Sequence, residues 1–196
     1  MTYCIIVPST RERMVISTAL LIRERGARAT SIDDVLVHSG APRGSVYHHF
    51  PGGRQQLLRE AIEYAGDFVA KRIEKAGGAL EVLDLLLEDY RSQLERSEFR
   101  AGCPVVAVAV EAGDPQSELH EPAAAAFGRW HEVLSQRLKN DGVNAARADE
   151  LATLVIASIE GALVMARARR DAQPLDSVHR QLRALLRAET NDRSPA

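Results

Sequence analysis

What the chain lacks sets its limits first. Aromatic residues make up only 5% of it, glycine and proline number 13 and 8, and no stretch alternates apolar and polar residues as a half-buried strand would. Its two cysteines, Cys4 and Cys103, lie far apart and form no CxxC pair, which excludes a disulfide framework and gives no sign of zinc. No strong charge of either sign is present: the net charge is −2, which argues against a protein that merely coats nucleic acid. The apolar run Tyr3–Val7 is too short for a signal-peptide core and has no basic leader, and no stretch approaches the length of a membrane span. A cytoplasmic protein without membrane contact is therefore expected.

Enzyme signatures are missing as well. HExxH, a Glu-x-x-His pair, GxSxG, a P-loop and GxGxxG are all absent, so no enzyme, no cofactor and no metal site is expected. His120, between Glu118 and Glu121, reads as a solvated side chain, and His131 beside Trp130 as packing. Cys103 reads as a small buried hydrophobe rather than a redox sensor.

What is present is helix former. Ala, Leu, Arg and Glu recur along 196 residues of which 45% are apolar, enough to bury a core in an all-α fold. Charge is also unevenly placed. Residues 1–54 hold seven Arg against four Asp and Glu, a balance of +3, while residues 55–196 carry −5. The basic part contains Thr30–Arg54, which reads as a short helix, a turn at Ser39-Gly40-Ala41, and a second short helix over about Arg43–His49. Two short helices around a glycine turn spell a helix-turn-helix, whose second helix is free to lie in a major groove.

Along the chain, residues 1–8 form an arm without helical period. Ser9 with Glu12 makes a capping box for a helix that runs to about Arg25 and stops at Gly26. Thr30 or Ser31 caps the second helix, with Asp33 and Asp34 in its first turn and Ile32, Val35 and Leu36 facing inward. Phe50 plugs the core. The spacing then predicts a long helix over Gln55–Lys75, a leucine-rich one over Leu80–Leu94, and a short one over Gly102–Glu111, apolar enough to be buried on all sides. Helices opening at Pro115 or Ser117 and ending near Asn140, over Ala145–Arg170 and over Leu175–Ala188 complete about nine; a polar, frayed tail follows over residues 191–196.

On the second helix of the motif, Arg43 is suited to guanine or phosphate, Ser45 and Tyr47 to phosphate, and His48 to backbone or a base edge. Thr30, Ser31 and the free N–H groups beside them make a phosphate seat, Arg54 a further one, and Gly44 permits close approach. Any one of these alone reads as a solvated surface residue; together, in register, they read as a DNA-binding face.

The run Arg43-Gly44-Ser45-Val46-Tyr47-His48-His49-Phe50, followed by Pro51-Gly52-Gly53-Arg54 ahead of Leu57, resembles the TetR family of bacterial transcriptional repressors over Ile16–Leu58. It departs from that pattern in an extra glycine and in Arg54 where a lysine is usual. With FPGGR, the run Ala101-Gly102-Cys103-Pro104-Val105 is similar to the LmrA/YxaF-like branch. The resemblance implies a DNA-binding domain over 1–54 joined by a long helix to an effector-binding and dimerisation domain over 55–196. It implies a homodimer on a palindromic operator in double-stranded DNA, released by a small hydrophobic or aromatic effector.

The last two helices can pack internally or pair with their own copies, and the resemblance favours pairing through Leu151, Ile159, Ala162, Val178, Leu182 and Leu185. Tyr64, Phe68, Tyr90, Cys103, Val106, Phe127, Trp130 and Met165 read as core from their pattern; the resemblance makes them candidates for lining an effector pocket. Two other readings remain open at this point: a helical interaction protein that uses the motif only for packing, and a DNA-binding activator. The first predicts no salt-dependent DNA binding.

Overall fold

The structure, a computed structural model, describes residues 8–111 and 118–190. These form nine helices and no strand: α1 (Thr10–Arg25), α2 (Ile32–Ser39), α3 (Ser45–His49), α4 (Gly53–Lys75), α5 (Ala79–Arg96), α6 (Pro104–Glu111), α7 (His120–Asn140), α8 (Ala145–Arg169) and α9 (Gln173–Glu189). The N-terminal arm up to residue 7 with Cys4, the predicted helix starts Pro115 and Ser117, and the tail over 191–196 lie outside the described residues.

Local chemistry explains the first elements. Ser9 Oγ accepts from the Glu12 N–H at 3.2 Å while the Glu12 carboxylate accepts from the Ser9 N–H at 2.8 Å, closing the predicted capping box. Ser31 and Asp34 close a second one on α2, which settles the cap on Ser31 rather than Thr30. Gly40 ends α2 at φ 65°, the left-handed region that a side chain resists, and the chain turns there into α3.

Two apolar clusters result. The smaller gathers Met14 and Val15 of α1, Val35 and Leu36 of α2, Val46 and Phe50, and Leu57 of α4. Phe50 is fully buried, with the Arg11 guanidinium 5.0 Å over its ring. The larger takes Ala19 and Ile22 from α1, Leu58 to Ile73 from α4, and the inward faces of α5 to α9. Thus α1 and α4 each belong to both clusters, α1 through opposite halves of one short helix.

Where α4 crosses α7, a Cβ on Gly66 would stand 2.8 Å from the Ala126 Cβ, so the approach requires glycine. There the Trp130 indole N–H donates to the Gly66 carbonyl at 2.8 Å, satisfying a buried donor. One expectation fails: α6 is not buried on all sides. Val105 and Val108 face the core, but Val110 is 77% exposed. A short apolar helix lying across a bundle can cover only one face.

Candidate nucleic-acid interface and apolar pocket

The helix-turn-helix presents a polar outer face. Tyr47 is 68% exposed, His48 is exposed, and the Arg43 side chain reaches into solvent 3.8 Å from Asp33, a pair too open to hold it. Ser45 turns its hydroxyl onto the Pro42 carbonyl at 2.6 Å, leaving its oxygen as an acceptor. At Gly44 an added Cβ meets nothing, so this surface is open to whatever approaches it.

Two expected phosphate contacts are instead structural. Thr30 is buried; its hydroxyl donates to the Gly26 carbonyl at 2.7 Å and its N–H to the Ala27 carbonyl at 3.1 Å. Arg54, in the first turn of α4, donates from Nε to the Thr30 carbonyl at 2.9 Å and from Nη2 to the Ala27 carbonyl at 2.5 Å, clamping the α1–α2 link. Ser31 is exposed, but its hydroxyl is bonded to Asp34 at 2.5 Å. That contact holds the Asp34 carboxyl below its ordinary range, so the start of α2 already carries an anion of its own.

Beyond α1 lies a half-open cavity of about 180 Å³ walled by α1, α4, α5, α6 and α7, in whose lining Tyr64 and Phe68 remain 38% and 44% exposed. Of the eight candidates for an effector pocket, Tyr64, Phe68, Tyr90, Cys103 and Trp130 line it. Val106, Phe127 and Met165 do not: Val105 takes the lining place on α6, Phe127 packs edge-on to Trp130 at 5.3 Å, and Met165 is 53% exposed on the outside of α8. Ile16, Ala19, Leu20 and Arg23 of α1 also line the cavity, so the helix that supports the reader is one of its walls.

Buried behind Tyr90 and Cys103 is Glu160, whose Oε2 has no hydrogen-bond partner. Burial raises its pKa to about 7, opposed by hydrogen bonding from Cys103 and Tyr90. Burial also pushes the Cys103 thiol well above its ordinary range, so it stays protonated and a poor redox nucleophile. Among the described residues no group of His, Cys, Asp or Glu is arranged to hold a metal; His120 is exposed, and the His131 ring lies 3.0 Å from the Asp149 carbonyl.

Residues 17–61 match the family described as bacterial regulatory proteins, tetR family, and residues 79–181 match transcriptional regulator LmrA/YxaF-like, C-terminal domain. A helix-turn-helix-type transcriptional regulator of Mycobacterium tuberculosis is 60% identical over 189 residues, 94% of this chain and 97% of that protein. The chain belongs to the TetR family of transcriptional regulators, in its LmrA/YxaF-like branch. The regulator LmrA of Bacillus subtilis is 31% identical over 170 residues, covering 85% of this chain and 90% of LmrA. A TetR transcriptional regulator of Chloroflexus aurantiacus has 30% identity and a TM-score of 0.73 over 92% of this chain and 96% of its own. One from Legionella pneumophila, at 23% identity, shares the fold with a TM-score of 0.79 over 92% and 99%. The protein is thus a DNA-binding transcriptional regulator and not an enzyme.

In this TetR-family chain, four of the six residues expected at a dimer interface face inward. Leu151, Ile159, Ala162 and Leu182 are buried within the protomer, and Val178 and Leu185 are half-buried against its core. The outer face of α8 carries a different apolar stripe, Leu154, Ala157, Gly161, Val164 and Met165, spaced to lie on one side of the helix. Apolar on both faces, α8 is long and hydrophobic enough to cross a membrane by length and composition, contrary to expectation, with 44% of its most apolar window buried here. A core helix has the same composition.

Sequence reading also missed the ties around α6. The Gly102 N–H donates to the Arg23 carbonyl at 2.8 Å, and the Glu111 carboxylate accepts from the Arg28 N–H at 3.0 Å and lies against Gly26. Arg167 of α8 donates to the Arg23 and Glu24 carbonyls at the end of α1. No periodic pattern encodes such contacts, because each joins residues distant in sequence through a main-chain atom.

Proposed function

We propose that this TetR-family protein is a cytoplasmic repressor that binds a palindromic operator as a homodimer and leaves it when a small hydrophobic or aromatic effector occupies the cavity. The reading unit is residues 1–54, with Arg43, Ser45, Tyr47 and His48 on the DNA and Gly44 allowing close approach; residues 55–196 hold the effector and the dimer contact. Half-sites then lie roughly 34–36 Å apart or a multiple of that. The observation that carries this reading is that α1 is at once the support of the reader and a wall of the cavity.

Its first half packs under α2 and α3, while its second half lines the cavity and is tied at its end to α6. A ligand that parts α4, α5 and α6 pulls on the end of α1 through Gly102 and Glu111 and so turns the reader. Its leverage equals its differential affinity for the two arrangements, about 1–3 kcal/mol of coupling in typical cases. Dimerisation is assigned to the outer stripe of α8 with the exposed side of α9, which gives the second apolar face of α8 a partner.

The test is a screen for compounds that raise the melting temperature, followed by DNA-binding titrations with each. At least one should weaken operator binding. Binders that stabilise the protein yet never change its DNA affinity would refute effector release.

A further inference from the structure

The lining of the cavity is mostly apolar, and the few charged side chains in it do not balance. Arg23 lines it from α1 and Arg72 from α4. Arg72 is ion-paired with Asp89 and lies 5.4 Å over the Phe68 ring. Arg23 has no such partner. Its Nη1 donates to the Gln93 side chain at 2.7 Å and its Nε is buried without an acceptor; among the described residues no carboxylate forms an ion pair with it, the attraction of neighbouring Glu24 being opposed by the repulsion of Arg96. The Arg72 Nε is likewise buried and unpartnered. Burial lowers the pKa of Arg23, the sign of a cation held where solvation is poor.

A half-buried guanidinium without a counter-charge lowers stability unless something else supplies the charge. We propose that the cavity ligand is an organic anion, with an apolar ring or chain lying between Tyr64, Phe68 and Trp130 and a carboxylate received by Arg23, Arg72 being the second cation beside it. This rests on reading the cavity as the effector site. The size is suitable: cavities of roughly 150 Å³ accept a benzene ring, and this one adds room for a short acidic arm. The charge is suitable too, since two arginines and one aspartate leave a net positive charge in the lining of a mostly apolar pocket. Because Arg23 belongs to α1, an anion drawn to it acts directly on the helix under the reader.

Trp130 provides the readout, being the chain's one tryptophan and part of the cavity wall. Full-length protein is titrated with phenylacetate, hydrocinnamate and octanoate, each beside its primary amide, and binding is followed by tryptophan fluorescence and melting temperature. At least one acid should bind at least about tenfold more tightly than its amide, the scale of a charge-assisted hydrogen bond. Arg23→Gln should bring acid and amide to within about threefold, and Arg23→Lys should restore part of the preference. An amide that binds wild-type protein as well as its acid overturns the proposal and leaves the cavity as an effector site. No binding by any acid or amide at millimolar concentration overturns both. Should Arg23→Gln fail to fold, the wild-type comparison of acid with amide decides alone.

Discussion

Arg54 has the charge and reach of a phosphate contact, yet its guanidinium turns inward onto the carbonyls of Ala27, Thr30 and Arg28. Residue type was legible in the sequence; the three acceptors were not, because the α1–α2 link delivers them only after folding. Arg54→Ala should therefore lower unfolding stability by about 1–3 kcal/mol, read by urea denaturation, because buried acceptors lose a charged donor. Wild-type stability in that variant would leave Arg54 free for DNA. Glu160 makes a second point at this scale. Its folded pKa of about 7 exceeds the ordinary 4.5, so its contribution is fully present below about pH 4.5 and lost as pH rises through about 7. The loss is about 3 kcal/mol by the usual conversion. Relative to wild type, Glu160→Gln should gain that much stability between about pH 4.5 and pH 8; parallel stability curves for the two proteins would rule the shift out.

Elements differ in how openly the sequence encodes them. The caps of α1 and α2 were legible because a capping box is complete within four consecutive residues, Ser9–Glu12 and Ser31–Asp34. The faces of α8 were not. Period 3.6 locates an apolar stripe, but α8 has two, and Leu151 and Ile159 belong to the one the protomer itself covers. The role of α6 was hidden for another reason: its ties are made by main-chain atoms and by Glu111, a residue with no pattern around it. Glu111→Ala is predicted to leave both DNA binding and ligand binding near wild type while reducing the effect of one on the other by several-fold, measured as operator affinity with and without bound ligand. Undiminished coupling would mean that α6 is not the link.

For the whole molecule, fold class and the place of the reader followed from sequence because helix former, glycine turn and reader motif are all local features. The cavity and the assembly depend on which distant faces meet, and there the apolar pattern was ambiguous. Val164 is 54% exposed on the outer stripe of α8, so Val164→Glu should preserve the protomer fold while light scattering shows monomers and operator affinity falls. A dimer of wild-type strength would move the interface elsewhere. The account's central claim, that paired α3 helices and the turns before them read DNA through Tyr47 and Arg43, is tested most directly by footprinting the DNA that flanks the protein's own gene. Wild-type protein should protect two half-sites related by a dyad about one helical turn apart, with Tyr47→Ala and Arg43→Ala weakening protection by about 1–3 kcal/mol at unchanged melting temperature. Protection equally strong in both variants would contradict it.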